Sequence, residues 1–169
     1  MASLKTGAVH PSSARPPTLA ILSPYGRQVK QLDLAIKGAR AGLLAHLGEF
    51  SSASLDDQLC HTVDSFQGNE ADVVVLSLVR NNQHASIKKA LGFLSNPQRM
   101  NVALSRARWK LVLITSTEFL SEVVSSPKGG ANDEDVQFLR EMLAALKEGE
   151  ASGQVARVPL EVLLKERAQ

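Results

Sequence analysis

The chain has 169 residues, 44% hydrophobic and 21% charged, with a formal net charge of +2, enough for one domain with a real core. No apolar run approaches the ~20 residues that span a bilayer, and the N-terminal MASLKTGAVHPSSARPP lacks the apolar region of a secretory signal. The lone cysteine, Cys60, excludes an internal disulfide framework and a cysteine-rich metal site, so the expectation is a soluble protein in a reducing, intracellular setting, cytoplasmic or nuclear, with no membrane partner.

In chain order, residues 1–17 read as a disordered lead-in or a cloning boundary, and Thr18–Ser23, TLAILS, as a buried strand between Pro16-Pro17 and Pro24. Val29 to Leu47 has near-helical apolar spacing at Val29, Leu32, Ile36, Leu43, Leu44 and Leu47, with Gly48 as its stop. Ser51 to Asp57 is polar linker and Gln58 to Val63 a second short strand. After the turn-rich Asp64–Glu70, the run Asp72 to Val79, DVVVLSLV, is the clearest buried strand. Its continuous hydrophobicity implies a parallel sheet covered on both faces.

Asn81 to Ser95 reads as a polar, mobile excursion. The stretch Asn96 to Ser116 runs a basic amphipathic helix into the apolar strand Lys110–Thr115. On a helical wheel Met100, Ala103, Leu104 and Ala107 share one face, Arg99 and Arg106 stand side by side on its flank, and Arg108 falls on the other. Such a pair suits bidentate contact with phosphate. A short helix then covers Thr117 to Val124 with Thr117 as its cap, Pro127–Gly130 is a loop, and Asn132 caps a helix from Asp133 to about Lys147. The domain is assigned to residues 18–150, and 151–169 is a C-terminal extension of the same domain. The alternation of strand and helix gives an α/β class with a mainly parallel central sheet flanked by helices in three layers.

Charge is unevenly spread. From Val73 to Thr117 there is no acid, while Arg80, Lys88, Lys89, Arg99, Arg106, Arg108 and Lys110 are basic; the acids gather from Glu118 onward. A polyanion-facing middle and a solvated C-terminal end follow.

Three stretches stand where a parallel sheet carries its functional loops, at or after the carboxyl ends of strands. In SPYGRQ, Tyr25 offers a stacking face and Arg27 a phosphate contact, although a packing turn reads equally well. In TVDSFQGNEAD, the Thr62 and Ser65 hydroxyls, the Gln67 amide and a close-approach Gly68 suit sugar-phosphate contacts, and Glu70 suits a ribose hydroxyl or an arginine. The arginine helix is the third.

Together SPYGRQ, TVDSFQGNEADVVVLSLVR and GFLSNPQRMNVALSRAR resemble motifs IV, V and VI of the second RecA-like domain of superfamily 1 helicases, in the branch of the nonsense-mediated-decay and senataxin-like enzymes. The resemblance implies a lobe that closes over ATP and Mg²⁺ held mainly by a first RecA-like domain, in cis or in trans, and that shares a single-stranded DNA or RNA track with it. It implies Arg106 as the arginine finger, assisted or braced by Arg99, with Tyr25 stacking on adenine, Arg27 nearby, and Gly68 and Glu70 at the nucleotide. Thr62, Ser65 and Gln67 would meet the nucleic acid, and Arg108 would be structural, offsetting the helix dipole.

The chain departs from the family's pattern at Val29, where several relatives carry an arginine, and it contains no G-x-x-x-x-G-K-[ST] phosphate loop or Asp-Glu pair after a strand. The leading reading is therefore the second ATPase lobe of a helicase, with no nucleotide or metal bound tightly by this chain alone. The alternatives are a stand-alone, non-catalytic nucleic-acid-binding module, and a module that meets a protein through its acidic C-terminal helix; that helix's stripe of Val136, Leu139, Leu143 and Leu146 reads more simply as core-facing. The isolated chain is expected to release no phosphate from ATP in a colorimetric assay, with or without single-stranded nucleic acid; turnover that disappears in Arg106→Ala would overturn this.

Overall fold

Among the described residues five parallel strands form one sheet, and their order explains why the apolar runs are continuous. They are β1 (Thr18–Ser23), β2 (Ser51–Ser52), β3 (Cys60–Thr62), β4 (Ala71–Ser77) and β5 (Ala107–Ile114). The order is β2-β1-β4-β5, with β3 also on β1. The short β2 pairs with the start of β1 (Thr18 with Ser51) and β3 with its end (Ile21 with Cys60, Ser23 with Thr62), so the two share one side of it. Strand β4 fills the other side, Leu19 with Val73 and Leu22 with Leu76. The computed structural model describes residues 15–42, 44–78, 91–125 and 133–165, with the backbone alone at 133–135 and 163–165.

Alternation along the strands sends two sets of side chains in opposite directions. Leu19 and Val73, with Ile21 and Val75 beside them, pack against Ile36, Leu44, Leu47, Phe50 and Leu59. Ala20, Leu22, Val74 and Leu76 turn to the other face and are wholly buried. Both faces are covered at β1 and β4, as their hydrophobic runs required, whereas β5 has no buried residue. Helix α1 (Gly26–Ala39) leads from β1 to β2, whereas the links from β3 to β4 and from β4 to β5 travel the other way across the sheet. Right-handed crossovers then place α1 on one face and residues 63–70 and 97–104 on the other.

Several boundaries differ from the sequence reading. The first helix starts at Gly26, inside SPYGRQ, and ends at Ala39; a separate 3₁₀ turn covers Ala45–Glu49, so Gly48 lies within that turn and is not a helix stop. Part of the polar linker is the strand β2. Gly92–Ser95, assigned to a mobile excursion, is a 3₁₀ turn with Phe93 and Leu94 buried. Helix α2 covers Pro97–Leu104 only, and β5 begins at Ala107, three residues before the expected start. The lead-in over 1–14, the excursion over 81–90, Leu43, Val79, the 127–130 loop, the Asn132 cap and the last residues 166–169 lie outside the described residues.

The chain divides into two compact units, Met1–Ser116 and Thr117–Gln169. In the second, α3 (Thr117–Ser125) packs on α4 (Asp133–Ala151), followed by the short α5 (Leu160–Lys165). Val136 and Leu139 are buried with Met142, and Phe119, Leu120 and Val123 are buried on α3, whereas Leu143 and Leu146 are half-buried, so the α4 stripe is core-facing over its first half. Among the described residues no helix is long and apolar enough to cross a membrane.

One buried charge fixes the amino end of the central strands. The Asp72 carboxylate, fully buried, accepts from Thr18 N at 2.8 Å and Thr18 Oγ1 at 2.9 Å and pairs with Arg15 at 3.0 Å. Burial pushes its pKa up, but the Thr18 hydrogen bonds and the Arg15 ion pair outweigh that and hold it below the ordinary carboxylate value. Its contribution to stability is therefore complete above the unfolded pKa of about 3.9 and is lost as pH falls through the lower folded value. Urea unfolding of Asp72→Ala at neutral pH should show a loss of about 2 kcal/mol, and the gap from wild type should close on acidification through that range.

Candidate functional site

Residues 63–70 form a short crossover. The chain leaves β3 at Thr62, at the carboxyl end of the sheet beside Ser23, and must reach Ala71 at the amino end of β4. At about 3.3 Å per strand residue this is a distance of roughly 20 Å. Thr62 and Ser65 open the crossover by capping each other: Ser65 N donates to Thr62 Oγ1 at 3.0 Å, Thr62 N donates to Ser65 Oγ at 3.1 Å, and the two hydroxyls are 2.8 Å apart. Phe66, 1% exposed, anchors its middle. Gly68 has φ +87°, which explains the glycine; an added Cβ would meet no protein atom within 4 Å.

Helix α2 runs alongside. Asn96 caps it, its Oδ1 accepting from Arg99 N at 2.9 Å, and Pro97 follows in the first turn. Met100 and Ala103 are fully buried. At the other end Ser105 leaves helical geometry (ψ 2°), and Arg106 Nε donates to Val102 O at 2.8 Å, satisfying a carbonyl that the helix has abandoned. Arg106 is therefore in the turn and not on the helical wheel. Arg99 and Arg106 do not stand side by side, because at 1.5 Å per residue the interval between them is about 10 Å along the axis.

Three rungs join the crossover to this helix and strand. Arg99 Nη2 donates to Asp64 Oδ2 at 2.6 Å, with its guanidinium 5.7 Å from the Phe93 ring centroid. Arg106 Nη1 donates to Asn69 O at 3.1 Å and Nη2 to Ser105 Oγ at 2.9 Å. Arg108 Nε donates to Glu70 Oε2 at 2.8 Å. Between the last two rungs Ala71 N donates to Arg106 O at 3.0 Å, where β4 and β5 begin to pair. The hydrogen bond and charge of Arg108, and after them the charge of Arg106, hold the Glu70 carboxyl below its ordinary pKa. Glu70 takes an arginine, one of its two expected partners, and Arg108 is a strand residue that closes the ladder instead of offsetting a helix dipole.

At the carboxyl end, Gln28 ties β1 to β4. Its Oε1 accepts from the buried Ser23 hydroxyl, and its Nε2 donates to Ser77 Oγ at 3.0 Å. Tyr25, half-buried, precedes α1, and its hydroxyl accepts from Phe93 N at 3.5 Å. Arg27 is exposed on the first turn of α1 and makes no hydrogen bond or ion pair among the described residues.

The proposed site residues thus fall at two ends of the sheet. Gly68, Glu70 and Arg106 come together at the amino end, beside a cleft of about 510 Å³ lined by Arg15, Thr18, Ser51, Glu70 and Arg108 among others. This corrects the placement of all functional loops at carboxyl ends. Tyr25, Arg27, Thr62 and Ser65 gather at the carboxyl end, and Arg99 joins the far end of the crossover, with Gln67 on the groove between crossover and helix. Asp64, the Asn69 carbonyl and Gln28 were not assigned roles from sequence. Asn69 acts through its backbone, which no residue type marks; Gln28 and Asp64 lay inside motifs but their partners are distant in sequence.

A parallel sheet with helical cover, and an arginine turn feeding its last strand, defines a RecA-like α/β lobe. Residues 4–118 match the family model described as an AAA domain, so the chain belongs to that family, as the second RecA-like lobe of a superfamily 1 helicase. Similar proteins include a regulator of nonsense transcripts 1 homolog from Arabidopsis thaliana, 36% identical over 70% of this chain and 8% of the relative. DNA polymerase alpha-associated DNA helicase A of Saccharomyces cerevisiae is 37% identical over 61% of this chain and 13% of its own length. The solved PRRSV nsp10 helicase is a distant likeness, 20% identical over 71% of this chain and 21% of that one, with a TM-score of 0.32. The chain spans about a tenth of the length of the curated relatives it matches.

Because Phe66 pins a crossover that reaches both ends of the sheet, Phe66→Ala is expected to cost about 3 kcal/mol. Urea unfolding measures the loss, and hydrogen exchange should quicken at both Ser65 and Asn69.

Proposed function

We propose that this lobe works in an ATP-dependent DNA or RNA helicase: its amino-end edge meets ATP held by a first RecA-like lobe, and its carboxyl end forms part of the single-strand track. The observation that carries this reading is the state of Arg106. Of the three arginines on the ladder, Arg99 and Arg108 are each tied to a carboxylate, whereas Arg106 rests on neutral oxygens of Val102, Asn69 and Ser105. A guanidinium held this way can exchange neutral acceptors for a phosphate oxygen without breaking an ion pair. As the lobes close, Arg106 turns to the transferring phosphoryl group and offsets its charge. In this reading Mg²⁺ travels with the ATP held by the first lobe.

Tyr25 and Arg27 stand with Thr62 and Ser65, on the far side of the sheet from Glu70 and Arg106. We therefore place them on the nucleic acid side, Tyr25 offering a ring face to a base and Arg27 a free cation to a phosphate, in place of the adenine contact drawn from the motif. Thr62 and Ser65 shape the turn with their hydroxyls, and the exposed Gln67 is left for the strand. Binding through phosphate contacts falls steeply with salt. That feature is shared with a non-catalytic binding module, which would differ in being indifferent to ATP.

In the complete polypeptide that joins this lobe to a phosphate-loop lobe, Arg106→Ala should lower kcat for nucleic-acid-stimulated ATP hydrolysis by about 10³-fold. Single-strand affinity should stay within about twofold of wild type, since an exposed charge far from the track contributes little to it. Unchanged turnover in that variant would remove the finger assignment.

A further inference from the structure

Glu70 lies between two arginines. Arg106, in the turn before β5, and Arg108, on β5, both reach the chain around Glu70. Arg106 already donates to the carbonyl of Asn69, the residue before Glu70, and Arg108 Nε holds Glu70 Oε2 at 2.8 Å. Glu70 Oε1 takes part in no hydrogen bond among the described residues. A carboxylate so placed has a competing choice: it can turn to Arg106 and fix that guanidinium in an ion pair stronger than its present contacts to neutral oxygens.

We propose that Arg108 is a positioning residue that sequesters Glu70, and thereby keeps Arg106 free of any carboxylate partner and available to an incoming phosphate. The proposal rests on the reading of Arg106 as the residue that meets the nucleotide. Its physical content is a competition for one acid. Arg108 binds Glu70 side-on through Nε, and the pairing of Ala71 with Ala107 brings the two chains into the alignment that makes this contact. Remove Arg108, and among the described residues the cations left on this edge are Arg15, which is paired with Asp72, and Arg106, which already acts on Glu70 through its charge. The finger would then have to leave an ion pair before it could reach phosphate.

The switch itself is read on this chain by ¹⁵N NMR of the arginine side chains. In Arg108→Ala the Arg106 guanidinium signals should shift and its Nη rotation slow as it pairs with Glu70; in Arg108→Ala/Glu70→Gln they should return to their wild-type state. No change at Arg106 in the single variant overturns the proposal. In the complete enzyme, Arg108→Ala should lower kcat about fivefold, the weight of one exposed ion pair, with KM for ATP nearly unchanged, and adding Glu70→Gln should raise kcat above that of Arg108→Ala alone. A double variant no faster than Arg108→Ala also overturns it, since a merely structural arginine would not be rescued by deleting its acid. Full turnover in Arg106→Ala is a different failure, that of the finger reading, and leaves the NMR result to stand or fall separately.

Discussion

The structure depends on the parallel pairing of β4 with β5 at its very first residues, where Ala71 meets Ala107. That contact aligns the residues immediately around it, before the register shifts by one residue to pair Val73 with Lys110. Because Glu70 and Arg108 lie one residue to either side of the pair, they meet; because Arg106 immediately precedes β5, its own carbonyl accepts from Ala71 while its side chain reaches Asn69. A one-residue slip of register would send these side chains to the opposite face. On the other side of β4, buried Asp72 fixes the register with β1, since its carboxylate accepts from Thr18 N and Oγ1.

The three arginines of the ladder have the same chemistry and different circumstances. Arg99 is fixed between Asp64 and the Phe93 ring, and Arg108 is fixed on Glu70. Arg106 is held in place by neutral oxygens, which orient a guanidinium without neutralising it. Half-exposed ion pairs of this kind contribute little to stability. Their consequence is local: they occupy the nearby acids and, among the described residues, leave Arg106 without an ion pair at the edge of the sheet.

The crossover from Val63 to Glu70 gives the lobe its two-ended character. It begins among residues at the carboxyl end, where Tyr25, Arg27, Thr62 and Ser65 gather, and finishes at the amino end beside Arg106. Its middle is fastened by Phe66 and its flank by the arginine rungs, so a displacement at one end has a packed path to the other. A helix would be the usual connection between parallel strands. Here the link is a succession of turns, with Phe66 N on Thr62 O, Gln67 N on Asp64 O and Asn69 N on Phe66 O, closed by Gly68 at positive φ.

Much of this was legible from residue order. TLAILS and DVVVLSLV announced buried strands because only a sheet covered on both faces tolerates such continuous apolar runs, and the three motifs pointed to the helicase family that the comparisons then established. The helix boundaries were less legible: the apolar spacing of α2 continues through Leu104 and Ala107, while the actual stop is made by Arg106 folding back on Val102. That event involves a side chain and a backbone carbonyl, and hydrophobic periodicity does not register it. The division of site residues between two ends of the sheet was likewise hidden, since motif order does not say that an eight-residue link traverses the whole sheet. The sequence by itself determined the class of fold and the buried strands, because these follow from local pattern and side-chain type. Only the tertiary structure decided which arginine has an acid and which does not, because that depends on strand register and on backbone atoms brought together from distant parts of the chain.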